Sequence, residues 1–408
     1  MLEHLRPQYA KEFRCLGSDC EDTCCHGLDV VIDKVAYEKF QSLPDFQPRV
    51  NERFVVLANP PTDSQYARIK LTPSCTCPFL SADRMCGIQQ EHGEYYLAEI
   101  CASYPRVTQR IDGLSETALL LSCPEAARLV LLNPTLMPPD ESALPRYLRF
   151  SRMAGPVAKA NGSPHQYLWD IRGFTLLLLQ DRAYPLWQRL FMLGMFCKRL
   201  NEITAAQQLG LVPPLLREYA EMITHGSLRS AMDGIPVRSA RQLGVVLEVV
   251  NRHLAMTDAS HLRFRECVQD FLHGIRYQAA SPIESCAPFF EEAHARYYQP
   301  FMQQHPYILE NYLLNHVFRT RFPYGVDPQG KLNDPLTEYL VMCVLYAVIK
   351  GLLIGMAGHY REAFAEAHVI KLVQSFAKAV EHSPQFLGAS NLGLANADGM
   401  ALLLKNGD

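Results

Sequence analysis

The cysteines of this 408-residue chain are concentrated in its first third, which limits what that part can fold into. Nine of the 13 lie in the first 123 residues, namely Cys15, Cys20, Cys24, Cys25, Cys75, Cys77, Cys86, Cys101 and Cys123. The start of the sequence has no apolar stretch typical of a signal peptide, so we expect a cytoplasmic protein. In a reducing compartment, clustered thiols predict metal ligation or redox chemistry rather than a disulfide framework. The four later cysteines lie in apolar helical segments and are expected to pack as small hydrophobic residues.

The spacing of the early cysteines suits either an iron–sulfur cluster or zinc, because both take soft thiolate ligands that converge from a few loops. The candidate ligands are Cys20, Cys24, Cys25, Cys77, Cys86 and Cys101, with Cys15 and Cys123 as weaker candidates. The adjacent Cys24 and Cys25 can hardly both bind one iron without strain. Spacing alone does not choose four ligands from nine, and a second metal site stays open. A redox-active thiol set is the alternative, although the sequence has no Cys-x-x-Cys motif.

Hydrophobic periodicity predicts a mainly α protein in which a small mixed α+β domain precedes a larger all-α domain. The expected units are a cysteine-rich metal-binding domain over 1–130, a proline-rich linker over 131–146, an all-α domain over 147–385 and a tail over 386–408. In the first domain we expect strands at 28–32 and 66–71 and helices at 34–41 and 94–103. In the second we expect helices at 164–180, 185–205, 213–225, 239–256, 262–275, 282–303, 306–319, 335–357 and 364–382. Asp33 is a predicted N-cap, and Ser163 and Ser281 begin sequences of capping-box form.

Charge and hydropathy argue against nucleic-acid and membrane partners. The net charge is -3, and the isoelectric point near 6.5 gives no basic field for nucleic acid. Residues 339–356 form a long apolar run, but Lys350 interrupts it. Because a charge at the centre of a bilayer is costly, we expect a buried core helix there and no membrane span.

Several of the motifs form a recognisable pattern. Cys20-x3-Cys24-Cys25, Cys77-Pro-Phe-Leu80, Cys86-x-Ile88 and Cys101-x-x-Tyr104-Pro105 resemble the zinc- or iron-chelating cysteine-cluster domain of the YkgJ type. A wider pattern is similar to the flagellin lysine-N-methylase (FliB) family, and it includes Pro7-x-Tyr9-x-x-x-Phe13-x-Cys15, Ser122-Cys-Pro-Glu-Ala-Ala-Arg128 and Glu310-Asn-Tyr-Leu-Leu-Asn315. This resemblance spans nearly the whole chain. Two departures are Leu28, which stands where the family pattern has tryptophan, and Cys75, which looks additional to the shared cysteines.

The resemblance implies a cytoplasmic methyltransferase of the bacterial flagellum. Such an enzyme transfers a methyl group from S-adenosylmethionine to lysine side chains of flagellin before export, and it depends on a [4Fe–4S] cluster. The alternative is a non-catalytic zinc- or iron-binding protein with a storage, sensing or structural role. An all-α domain of this size favours the enzyme, since a metal store would not need it.

Lysine methylation requires a neutral amine, yet a free lysine side chain has a pKa of about 10.4. The site must therefore desolvate the amine or place a base beside it. Weak candidates for this role are Glu94, Tyr104, Glu310 and Tyr312. The sequence has no Gly-x-Gly-x-x-Gly turn for a nucleotide and no Cys-x3-Cys-x2-Cys spacing of the kind familiar from radical S-adenosylmethionine enzymes. The position of the donor pocket is therefore not predicted.

Overall fold

The structure is a computed structural model. It describes residues 4–5, 7–43, 50–57, 62–63, 65–111, 114–136, 164–256, 261–278, 282–325, 333–381 and 404–405. Most of the predicted linker and tail, and the two capping serines Ser163 and Ser281, lie outside these residues. The described residues confirm a mainly α fold, with short strands confined to the first 119 residues.

Two small sheets hold the strands of the N-terminal part. The first has the order β1 (His4–Leu5), β6 (Leu114–Leu119), β5 (Arg106–Ile111), and the second has the order β2 (Val31–Ile32), β4 (Ala67–Ile69), β3 (Phe54–Val56). The pair β1–β6 is parallel, and the other pairs are antiparallel. The helices of this part are α1 (Gln8–Glu12), α2 (Lys34–Ser42), α3 (Val50–Arg53), α4 (Gly87–His92), α5 (Glu99–Ser103) and α6 (Pro124–Leu131).

The predicted N-terminal elements are present, but most are shorter than expected. Asp33 caps α2 as predicted, because its Oδ1 accepts a hydrogen bond from the Ala36 amide at 2.8 Å. The predicted strands at 28–32 and 66–71 reduce to β2 and β4. The predicted helix at 94–103 is a 3₁₀ turn followed by α5, since the chain is extended at Leu97 and Ala98. Ala98 is buried in a small core, and this packing breaks the helix where its sequence pattern continues.

Helices dominate after residue 163. They are α7 (Leu168–Gln180), α8 (Leu186–Ala205), α9 (Val212–His225), α10 (Arg229–Asp233), α11 (Ser239–Met256), α12 (Leu262–Gly274), α13 (Ala287–Ala293), α14 (Gln299–Gln304), α15 (Ile308–Thr320), α16 (Pro335–Tyr360) and α17 (Glu366–Phe376). The prediction of one helix over 282–303 was wrong, because the structure has α13, the π-helical segment His294–Tyr298 and α14 there. Pro288 and Pro300 each lie in the first turn of a new helix, where a residue without an N–H is tolerated. The short helix α10 was not predicted.

The long apolar helix α16 is the centre of the helical part. Among the described residues, Pro335–Ala363 is the one segment long and apolar enough to cross a membrane, but 94% of its most apolar window is buried inside the protein. Asp334 caps the helix by accepting a hydrogen bond from the Thr337 amide at 2.9 Å. The apolar run at 339–356 is therefore a core helix, as predicted.

One large core unites the helical part with residues that precede the predicted linker. Leu119 and Val130 pack in the same buried cluster as Leu313 and Ile349. Polar contacts cross the same boundary, and the fully buried Arg172 donates to Glu116 at 2.7 Å. The motif residues Tyr9 and Asn315 belong to this set, since the Tyr9 hydroxyl donates to Asn315 Oδ1 at 3.0 Å. Asn315 in turn donates to the Leu119 carbonyl at 3.0 Å, so these residues hold the first sheet against α15.

A second, smaller core belongs to the N-terminal part alone. Phe40 stacks on Phe54 with ring centroids 5.3 Å apart, and Phe54 lies 5.5 Å from Phe79. This core carries three of the cysteines, because Cys77 belongs to it and Cys25 and Cys86 pack against it. The loops that bear these thiols are therefore held by aromatic packing.

Candidate functional site

Two loops and one short helix bring five cysteines together. The Cys77 amide donates to the Cys25 carbonyl at 2.7 Å, which joins the loop around Cys24 to the loop after β4. That second loop turns back on itself, because Leu80 and Cys86 form an isolated β-bridge. Cys101 comes from α5. We call Cys24, Cys25, Cys77, Cys86 and Cys101 the thiol group.

The thiol of Cys25 lies at the centre of this group and hydrogen-bonds with those of Cys24, Cys77 and Cys86. Hydrogen bonding with Cys25 is the main cause that lowers the pKa of Cys86, to about 6, and it also lowers the pKa of Cys77. The pKa of Cys24 is raised, first by its hydrogen bond with Cys25 and then by desolvation. Desolvation, followed by the nearby Cys24 and Cys86, raises the pKa of Cys101 to about 12. Cys77 and Cys86 are therefore the members best stabilised as thiolates, the form that binds metals.

The predicted ligand Cys20 lies with the two weaker candidates. Its thiol is within electrostatic reach of Cys15, and Cys123 is within reach of both. Burial raises the pKa of Cys123 to about 12. Cys75 is the one cysteine that lines a separate surface cavity of about 380 Å³, together with Gly27, and we count it in neither set. The nine early cysteines thus divide into the thiol group of five, a second set of three (Cys15, Cys20 and Cys123) and Cys75 alone.

The thiol group suits a soft metal centre by the chemistry and number of its donors. All of its cysteines are free, and they converge from separate segments, as the ligands of iron–sulfur clusters and zinc do. In the described part of the chain, however, no set of three or more His, Cys, Asp or Glu side chains has the geometry to hold a metal ion. The arrangement is one of thiols that hydrogen-bond to one another. The donor set fits a cluster, and its binding stays a prediction.

A buried ion pair attaches the thiol group to the helical part. Lys378, in the π-helical turn Ala377–Glu381 after α17, contacts Asp22 Oδ2 at 2.8 Å and donates to the Thr23 carbonyl at 3.0 Å. The amide of Gln374 donates to the same Asp22 oxygen at 2.8 Å and to the Ser122 carbonyl at 3.0 Å. Burial raises the pKa of Asp22, but the charge of Lys378 and the hydrogen bonds lower it by more, so the net shift is downward. The segment that leads into Cys24 is thereby fixed to the end of α17.

Two of the weak catalytic candidates lie in the N-terminal part, and the structure places them differently. The Tyr104 hydroxyl lies 3.0 Å from Ser122 Oγ and within electrostatic reach of Cys24 and Cys123. Burial, and then these thiols, raise the pKa of Tyr104 well above 10, so it stays protonated and serves as a hydrogen-bond partner. Glu94 is exposed in the 3₁₀ turn before α5.

The two candidates on α15 are engaged in buried ionic contacts of the helical part. Both carboxylate oxygens of Glu310 accept hydrogen bonds from Arg182, at 3.1 and 2.8 Å, and one also accepts from Arg189 at 2.7 Å. The Tyr312 hydroxyl donates to Glu381 at 2.8 Å. These partners stabilise the packing between the helices.

The residues that sequence reasoning missed are Asp22, Gln374 and Lys378. Asp22 had a local signal, because it lies between two cysteines of the motif. Gln374 and Lys378 are polar residues four positions apart in the otherwise apolar run LVQSFAKAV. That spacing puts them on one helical face and was a usable indication of a buried polar contact.

The comparison with known proteins now identifies the family. The model described as the FliB lysine N-methylase C-terminal domain matches residues 172–404, more than half of the chain. The chain belongs to the FliB lysine N-methylase family. The resemblance noted from the motifs is thus confirmed for this family, whereas the cysteine-cluster domain lies outside the match and stays a prediction.

Curated relatives agree with the family. The chain is 24% identical over 385 residues to the lysine-N-methylases of Salmonella typhimurium and Salmonella choleraesuis, covering 93% of this chain and 92% of each relative. It is also 31% identical over 147 residues to the flagellar biosynthetic protein FliU of Salmonella muenchen, covering 36% of this chain and 84% of the relative. No solved structure gives a significant match. These relatives support lysine methylation as the activity.

Proposed function

We propose that this chain is a cytoplasmic protein-lysine N-methyltransferase that modifies flagellin, takes its methyl group from S-adenosylmethionine and depends on a [4Fe–4S] cluster. The observation that carries the proposal is the position of the thiol group. Its cysteine-bearing loops are tied through Asp22 and Lys378 to the helical domain by which the family is defined. The flagellar name of one relative supports a flagellar substrate.

The chemistry of the transfer needs a neutral lysine amine and a sulfonium methyl group. The amine lone pair forms the new N–C bond while the C–S bond breaks, S-adenosylhomocysteine leaves, and the new ammonium group then loses a proton to solvent or to a base. This displacement needs no oxidant and no reductant. Tyr104, protonated and next to the thiol group, is suited to orient a polar group by hydrogen bonding rather than to take up the proton.

Four of the five members of the thiol group would hold the cluster. When bound, it would supply a fixed local charge and a covalent link between the loops of Cys24, Cys77 and Cys86. Hydrogen bonding with Cys25 and burial raise the pKa of Cys24, and the positive charge of the nearby Lys378 partly opposes this shift. Since metal binding is coupled to folding, loss of a ligand is expected to reduce iron content and solubility together.

Mass analysis of flagellin co-expressed with this protein tests the function. We expect mass gains in steps of one methyl group, localised to lysine side chains, with S-adenosylhomocysteine formed one-for-one in the purified reaction. Cys86→Ser should abolish the gain, whereas Cys197→Ser, in a buried position of α8, should retain it. If flagellin stays unmodified although the donor is active and the protein is soluble and loaded with iron, the proposal that flagellin is the substrate is refuted. Strict dependence on a strong reductant, with 5′-deoxyadenosine among the products, would refute the displacement mechanism.

A further inference from the structure

A polar cavity of about 500 Å³ lies on the helical part, where α12 and α16 end. This volume is within the range of small-molecule sites. Its lining includes three arginines and two histidines, namely Arg276, Arg296, Arg361, His273 and His359. The imidazole rings of the two histidines face each other with centroids 5.6 Å apart. Nothing in the proposed methyl transfer uses this cavity.

The cavity is lined by three arginines and by two carboxylates, Glu292 and Glu362, so the balance of these charges is positive by one. Arg296 forms an ion pair with Glu292 at 2.8 Å. Within the described part of the chain, neither Arg276 nor Arg361 forms an ion pair with a carboxylate. The Arg276 guanidinium instead lies over the Phe289 ring, 4.3 Å from its centroid. Two guanidinium groups therefore keep their capacity to bind an anion.

The backbone around the cavity is unusual in ways that tend to mark binding sites. Arg276 has a φ of 53°, and Arg361 has a φ of 53° with a ψ of -126°, a combination that side-chain-bearing residues rarely adopt. Arg296 is carried by the π-helical segment His294–Tyr298, and single π-helical turns are frequent at functional sites. The three arginines at these positions all line the cavity.

Glycines make the helices beneath the cavity approach each other closely. A Cβ added at Gly274 would overlap the carbonyl oxygen of Gly355, and one added at Gly358 would lie 2.8 Å from the Ala293 Cβ. The ends of α12 and α16 are thus in backbone contact, with no side chain between them. The arginines that follow these helices are positioned by a rigid support.

We propose that this cavity is a binding site for a small molecule bearing a carboxylate or a phosphate group. A guanidinium presents a planar set of N–H donors that matches either oxyanion, and Arg276 and Arg361 would supply the charge-assisted hydrogen bonds. The site is separate from the thiol group, because Arg361 precedes α17 whereas Lys378 follows it, and the helical rise over residues 366–378 is about 18 Å. The proposal does not depend on the methyltransferase function.

Calorimetric titration of the full-length protein tests the proposal, with inorganic phosphate and citrate as separate probes in a low-salt buffer free of other oxyanions. We expect at least one probe to bind with a dissociation constant below about 1 mM, and the double variant Arg276→Gln/Arg361→Gln to weaken that binding by about tenfold or more. Binding of phosphate alone would assign a phosphate ligand, and binding of citrate alone a carboxylate ligand.

Arg199→Gln is the matched control, because Arg199 is also exposed but is ion-paired with Glu202 on α8, outside the cavity. It should bind the probe as the unmodified protein does. The Arg276 and Arg361 side chains are exposed, so the double variant should keep the unmodified unfolding midpoint. The proposal is overturned if neither probe binds with a dissociation constant below about 1 mM, or if a folded double variant and the control bind equally well.

Discussion

Replacement of Lys378 by methionine should destabilise the contact between the thiol-bearing loops and the helical part. The side chains of Lys378 and Asp22 are 7% and 14% exposed, and their charged atoms lie 2.8 Å apart. Methionine preserves the length and apolar stem of lysine but removes the ammonium group. Asp22 would then remain an anion in a largely buried position without its counter-charge.

The expected loss in the free energy of unfolding follows from what remains around Asp22. Removing one partner of a buried ion pair costs about 3–5 kcal/mol, because the other charge stays buried. Here the carboxylate keeps a hydrogen bond from Gln374 Nε2 at 2.8 Å and one from the Thr23 amide at 2.8 Å. These donors still stabilise the anion, so we expect the lower end of that range, about 3 kcal/mol.

Chemical denaturation of the purified variants measures this loss. The matched control is Lys371→Met on the preceding helix α17, where the pair with Glu266 is 25% and 57% exposed and should contribute less than about 1 kcal/mol. The double variant Asp22→Asn/Lys378→Met should lose less than Lys378→Met alone, because no charge is left unpaired. The reasoning is refuted if Lys378→Met and Lys371→Met lose equal free energies of unfolding. It is also refuted if the double variant is less stable than both of them.

Three further predictions concern His316, Cys86 and Gly274. Burial, and then the charge of Arg319, hold the pKa of His316 well below 6.5, so below that pH only the unfolded chain binds the proton. Stability should fall by up to about 1.4 kcal/mol per pH unit below pH 6.5, and His316→Leu should flatten this slope in denaturation measured across pH. Cys86→Ser should lower the iron content of anaerobically purified protein while Cys197→Ser leaves it unchanged, and equal iron loss would contradict the division between ligand and core cysteines. Gly274→Ala should lower the unfolding midpoint, since its Cβ would meet helix backbone, at a cost of about 1–3 kcal/mol; an unchanged midpoint would contradict the close approach.

Local pattern determined most of the helical part in advance. Helix periodicity and capping depend on residues within a few positions of each other, so α7, α8 and α11 were predicted to within a few residues of their observed bounds. The interruption of 282–303 was missed although Pro288 and Pro300 were visible in the sequence. The apolar pattern continues through both prolines, and the prediction followed that pattern. It should have given more weight to the prolines, which lack the N–H group that a helix interior needs.

The sequence by itself also predicted a shared chemical role for the early cysteines, because thiols clustered in one third of a chain are typical of metal ligation or redox chemistry. Only the tertiary structure decided which of them meet. Cys20 had the same motif spacing as its neighbours, yet it lies with Cys15 and Cys123. Asp22 and Lys378 are 356 residues apart in the chain. No local pattern encodes such a contact, because its geometry depends on how α17 packs against α6 and on the large core that holds both.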